Sequence, residues 1–135
     1  MGRIRFTVEQ RYADLDTMGH VNNVAYLTYL QEVRLKLLVR LLGDRLFRMN
    51  HVVVRNEIDY LSSLGLSPEG VVIDAWVERI GSSSYTVAYD VHAPSGEVAA
   101  RAKTVLVHLD ESGAASPLPQ EQRDMLAVAL EGSSS

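Results

Sequence analysis

Polar and apolar positions alternate at the start of the chain and then change period. Over residues 3–11, Ile4, Phe6 and Val8 alternate with polar neighbours, which predicts a strand. Residues 12–22 read as a loop. From about Asn23 to Leu42 the period becomes helical: Thr28, Glu32, Lys36 and Arg40 recur every four residues as one polar stripe. The rest of the circumference is mostly Val, Ala, Tyr and Leu, so other structure is expected to wrap this helix almost completely. Asn22 or Asn23 suits its N-cap, and Gly43 its stop. Strand patterns follow at 51–61, at 71–80, around Tyr85, Val87, Tyr89 and Val91, and at 97–109. Short turns at Gly81-Ser82-Ser83 and Pro94-Ser95-Gly96 predict antiparallel neighbours. Pro119 opens a short terminal helix through about Leu130, and residues 132–135 are expected to fray.

These elements predict an α+β domain: a five-stranded antiparallel sheet wrapped around one long central helix, with a short C-terminal helix. At 135 residues a single domain is expected, 1–135, with its core over about 3–110 and a linker and tail helix over 111–131. Strand 71–80 carries apolar residues on both faces: Val72, Trp76 and Ile80 on one, Val71, Ile73, Ala75 and Val77 on the other. One helix covers one face. The spare face or an edge is therefore expected to be buried in an oligomer, by default a two-fold dimer.

Composition narrows the function. The net charge is −4 with no basic block, which argues against nucleic acid as a partner. There is no cysteine, hence no disulfide, thiolate metal site or Cys nucleophile. No apolar run is long enough to span a membrane, and no signal-peptide pattern opens the chain, so a cytoplasmic location is expected. His51, His92 and His108 lack metal-ligand spacing, and Asp14-x-Asp16-x-Met18-Gly19 departs from a calcium loop at Met18 and Ala25. No metal and no cofactor is expected. Without a Gly-x-Ser-x-Gly elbow, a Ser-His-Asp hydrolase is disfavoured.

The candidate chemistry lies in Asp14-Leu15-Asp16-Thr17-Met18-Gly19-His20-Val21-Asn22-Asn23. It sets carboxylates a few residues ahead of a buried helix whose first N–H groups are free donors, a pairing that acyl transfer can use. Together with Val24-Ala25-Tyr26, Glu57-Ile58-Asp59-Tyr60-Leu61 and Arg79-Ile80-Gly81-Ser82-Ser83-Ser84, this stretch resembles the 4-hydroxybenzoyl-CoA thioesterase-like acyl-CoA thioesterases of the hotdog fold. The resemblance covers about residues 3–110.

The resemblance implies a hotdog fold that dimerises, or forms a homotetramer, with its active sites in the dimer groove. It implies an acyl-CoA substrate, or an acyl carrier protein thioester, with coenzyme A as part of the substrate and not a cofactor. The acidic catalytic residue maps onto Asp16, and the backbone donor seven residues on maps onto the N–H of Asn23. Ser82, Ser83 and Ser84 fall where the family's turn approaches the pantetheine arm or phosphates. Some relatives carry Pro-Ala-Gly where this chain has Thr17-Met18-Gly19, so hydroxybenzoyl specificity does not carry over.

Each residue also has a plainer role. Asp16 could attack the thioester to give a mixed anhydride or activate water, and both roles stay open; alone, it would read as a turn residue. Asp14 reads as a turn or salt-bridge residue. His20 could bond Asp16, meet substrate or order the loop. Asn22 and Asn23 are good caps under any function. Tyr26 is core or part of the acyl tunnel, and Ser82–Ser84 are turn residues as well as substrate contacts. Glu32, a rival carboxylate, sits on the polar stripe and reads as ion-paired. Arg55, Arg79, Arg101 and Lys103 face water or phosphate. Two rival functions remain. A hotdog dehydratase or hydratase lacks its usual His paired with a helix Glu here, and a non-catalytic acyl-CoA binder has no need of Asp16.

Overall fold

The computed structural model describes residues 2–131; the expectation for 132–135 lies outside them. The elements are β1 (Ile4–Val8), α1 (Asn23–Leu42), β2 (His51–Tyr60), β3 (Val71–Ile80), β4 (Ser84–His92), β5 (Val98–His108) and α2 (Gln120–Ala127), with 3-10 turns at Tyr12–Asp14 and Gly43–Arg48. The strands form one antiparallel sheet in the order β1-β3-β4-β5-β2. β1 stops at Val8, short of the expected 3–11. Beyond it Gln10 turns away, giving a hydrogen bond to the Gly65 carbonyl and taking one from the Ser67 N–H.

α1 starts where the sequence places its caps. The Asn22 carboxamide accepts from the Ala25 N–H at 2.9 Å, satisfying one orphan donor of the first turn. Gly43 ends the helix at φ +59°, a conformation that disfavours any side chain. The buried face of α1, including Tyr26, Tyr29, Leu30, Val33 and Leu37, packs on inward side chains such as Ile73, Val77, Tyr85, Val87 and Val91. α2 and its flanks join this core through Leu118, Leu126 and Ala129. The tail then lies against β3: Val77 N–H donates to Ala129 O, and Glu131 N–H to Val77 O.

One expectation needs correction. The outer face of the sheet is not a spare apolar face. Arg3 lies over the Trp76 ring at 3.8 Å and pairs with Asp90, while Arg5 grips Asp74 with two nitrogens and His92 reaches the same carboxylate. Charged neighbours therefore cover Trp76, and other apolar residues of this face, Val72, Val105 and Val107, are partly buried. The sheet wraps α1 as expected and leaves one flank open: toward β2, Leu27 and Leu35 are exposed, and β2 itself is an edge strand with Val52, Val53 and Val54 exposed. The apolar surface left over lies at an edge, because β2 follows α1 to the far side of the sheet and pairs only with β5.

Candidate active site

The loop between β1 and α1 is built in two parts. Asp14, 3% exposed, is the anchor: its carboxylate accepts from the Arg11 N–H at 2.9 Å, the Tyr29 hydroxyl at 2.7 Å and the Arg11 guanidinium at 3.1 Å. Its carbonyl takes the Asn22 N–H at 2.9 Å. Burial pushes the Asp14 carboxyl up, but these donors outweigh it and hold the group below the usual carboxylate range. The loop is thereby tied to α1 through Tyr29.

Asp16 begins a tight hairpin. Leu15 and Val21 form a bridge across it, Asp16 N–H donates to His20 O at 2.8 Å, and Gly19 N–H to Asp16 O at 3.1 Å. Gly19, at φ +78°, makes the turn. Asp16 Oδ1 accepts from the N–H groups of Met18 and His20 at 2.9 and 3.0 Å. The His20 amide, with lesser help from Met18, holds the carboxyl below its usual value. Among the described residues Oδ2 meets no donor, so an exposed, ionised carboxylate has one oxygen fixed and the other free.

The start of α1 supplies donors. Asn22, Ala25 and Tyr26 N–H groups are taken by Asp14 O, Asn22 Oδ1 and Asn22 O. Among the described residues, those of Asn23 and Val24 meet no acceptor. They carry the positive end of the helix dipole and suit a developing oxyanion. Beside them a cavity of about 330 Å³ is lined by His20, Asn23, Tyr26, Tyr60 and Ser62, among others. The buried Tyr26 hydroxyl has no partner among the described residues, and burial pushes its pKa up, so it is a protonated donor.

Asp16, His20, Asn22, Asn23 and Tyr26 thus gather at one end of the sheet. His20 meets Asp16 through its backbone N–H, and no hydrogen bond joins the imidazole to the carboxylate. Ser82, Ser83 and Ser84 sit at the other end. β1 pairs Val8 with Val71 at the start of β3, whereas the serines follow its last residue, about 30 Å away at 3.3 Å per residue. Within one chain they do not join the site. Their turn is fastened by Leu118 N–H to Ser82 O, His108 N–H to Ser83 O and the Arg123 guanidinium to Gly81 O.

The rival groups are engaged elsewhere. Glu32 pairs with Lys36 at 3.1 Å, Arg55 with Glu57 and Lys103 with Glu78. Among the described residues no three His, Cys, Asp or Glu side chains converge as a metal site, and no helix is long and apolar enough to cross a membrane. One polar group escaped the sequence reading. Arg34 lies off the Thr28–Arg40 stripe, on the side of α1 that faces the sheet, and its Nη1 donates to the Tyr89 hydroxyl at 3.2 Å. A charge off the polar stripe was the available signal.

With this geometry in hand, the chain can be set beside known proteins. A family model described as the thioesterase-like superfamily matches residues 11–126. The uncharacterized protein YsmA of Bacillus subtilis (strain 168) is 30% identical over 122 residues, covering 88% of this chain and 82% of that protein. A thioesterase from Thermus thermophilus, solved in complex with coenzyme A and zinc, is similar at 35% identity and a TM-score of 0.82, over 93% of this chain and 92% of that one. The probable thioesterase YbaW of Escherichia coli is similar at 26% identity and a TM-score of 0.77, over 97% and 100%.

Proposed function

The chain belongs to the thioesterase-like superfamily, and from that premise we propose that it hydrolyses acyl-CoA thioesters to the free acid and coenzyme A. The observation that carries the reading is the exposed Asp16 carboxylate, with Oδ1 held by two amides and Oδ2 free, on the hairpin that leads into α1, where the N–H groups of Asn23 and Val24 meet no acceptor among the described residues. A thioester carbonyl resting on those donors is polarised as negative charge develops on its oxygen. Oδ2 then either takes a proton from an attacking water or attacks the carbonyl carbon itself. In both routes the C–S bond breaks and the thiolate leaves: in the first it takes the proton that Asp16 received, and in the second it takes one from water, after which water cleaves the mixed anhydride to free the acid and restore the Asp16 carboxylate. The chemistry calls on no cofactor.

The second part of the reading is a homodimer through β2. Ten residues of edge strand with three exposed valines, beside the exposed flank of α1, make a surface that water penalises. Antiparallel pairing of two β2 strands would set the partner's β3–β4 turn two strands from its own β2 and near this chain's Tyr60. The serine turn could then serve a substrate held by the partner. A cytoplasmic setting, where coenzyme A thioesters are made, belongs to the same reading. The resemblance to a thioesterase holding coenzyme A supports coenzyme A over an acyl carrier protein.

The test is free-thiol release from a panel of aliphatic and aromatic acyl-CoAs. Release from some member is expected. Release from none, and from no acyl carrier thioester, contradicts the enzymatic reading.

A further inference from the structure

A second cleft, of about 300 Å³, opens between α1 and β2, lined by Gln31, Arg34 and Leu38 of α1, the nearby Phe47, and His51 and Val53 of β2, with further leucines. Its walls are mainly apolar, and Arg34 is its full charge. His51 is held below its ordinary value by burial, and further by His108 and Arg34, and stays neutral near pH 7. The guanidinium is half-buried, and among the described residues it has no carboxylate partner and no hydrogen bond from Nε or Nη2.

Nη1, by contrast, is fixed. Arg34 donates to the Tyr89 hydroxyl, Tyr89 donates to Thr104 Oγ1 at 2.8 Å, and Thr104 donates to Asn56 Oδ1 at 2.8 Å. The Tyr89 hydroxyl accepts once and donates once, Thr104 Oγ1 takes a second, longer bond from Nη1 at 3.5 Å, and the network runs in one direction and locks the guanidinium in place. A cation held in an apolar cleft without a counter-ion is costly, and the cost falls when an anion binds.

The helix supplies the second observation. Asn23, Leu27, Gln31 and Arg34 follow at spacings of four, four and three residues, so they share one face of α1. Leu27 between them is exposed. From Asn23 to Arg34 the helix rises about 16 Å at 1.5 Å per residue. An acyl group with its carbonyl at the Asn23 N–H and its tail along this face ends at Arg34.

We propose that the acyl group this chain accepts is a medium-length apolar chain carrying an anionic oxygen, a carboxylate, at its distal end, received by the free nitrogens of Arg34. The proposal rests on the thioesterase reading for the placement of the carbonyl; the distal site stands on the cleft itself. The carboxylates of β2, Glu57 and Asp59, alternate onto the outer face with Arg101 and Lys103, away from α1. A second copy paired along β2 therefore does not bring them to Arg34.

The test compares kcat/KM for straight-chain acyl-CoAs from hexanoyl to tetradecanoyl with their ω-carboxyl counterparts. The wild type is expected to favour the ω-carboxyl member at some length, by about 10- to 100-fold, the scale of a hydrogen bond to a charged group. Arg34→Met should remove most of that ratio, and Arg34→Lys should keep part of it. A wild-type ratio at or below one at every length overturns the proposal without any variant, as does a ratio that Arg34→Met leaves unmoved. Calorimetric titration with free dodecanedioic and dodecanoic acids reads the distal site apart from the chemistry. If no thioester turns over, the hydrolase reading fails alone; tighter binding of the diacid, lost in Arg34→Met, still supports the distal site, and equal binding overturns it.

Discussion

The loop ahead of α1 holds two aspartates two residues apart, and the fold uses them in contrary ways. Asp14 is buried, with three donors on its carboxylate and the Asn22 N–H on its carbonyl. Asp16 is exposed, with one oxygen occupied by its own turn and the other open. Saturating a carboxylate with hydrogen bonds makes it a strut and leaves it little to offer a substrate. Leaving one oxygen free on the hairpin that leads into α1 makes it available for chemistry. The two belong together: the strut fixes the loop on α1, and so fixes where the reactive oxygen points.

That division can be broken residue by residue. The largest expected effect on folding comes from Asp14→Ala, which strands the Tyr29 hydroxyl and the Arg11 N–H and should cost about 1–3 kcal/mol; denaturant midpoints of wild type and variant measure it. Asp16→Ala should barely move the same midpoint, and a shift as large as that of Asp14→Ala would erase the distinction. Gly19→Ala comes next. A Cβ there meets open space, so its cost is that of φ +78°, about 1–2 kcal/mol, and it should lower thiol release by loosening the amides on Asp16. Asn22→Ala removes the helix cap and should cost about 1 kcal/mol in the melt.

The smallest effect is in acid. The folded Asp14 carboxyl titrates below its ordinary value of 3.8, so its contribution is complete above that pH and lost as pH falls through the folded value. The stability gap between wild type and Asp14→Ala should hold steady above that pH and close beneath it. A gap that closes well above the ordinary carboxylate range would contradict the assignment.

Much of this was legible in the sequence, because it depends on local pattern. The bounds of α1, the four later strands and the cap at Asn22 follow from periodicity and capping chemistry, which near neighbours decide. The difference between Asp14 and Asp16 came only from the family resemblance, because the Tyr29 hydroxyl that holds Asp14 reaches it across the fold. What failed depends on strand order. Trp76 looked like spare apolar surface because nothing local announces that Arg3, from the start of the chain, lies over its ring. Where Ser82–Ser84 lie relative to the loop is likewise decided by register, which sets them at the far end of the sheet and which local pattern does not announce. Arg34 was passed over because its partners, Tyr89, Thr104 and Asn56, come from three other strands.

The central claim is that Asp16 carries the chemistry, and one comparison tests it most directly. Thiol release from the best acyl-CoA substrate is measured for wild type and Asp16→Asn, with circular dichroism melts to show that both are folded. The amide keeps an oxygen for the Met18 and His20 amides but loses the negative charge. The account predicts a rate lower by at least about 10², the scale of a catalytic acid–base group, with an unchanged melt. A folded Asp16→Asn variant that releases thiol at the wild-type rate would contradict it.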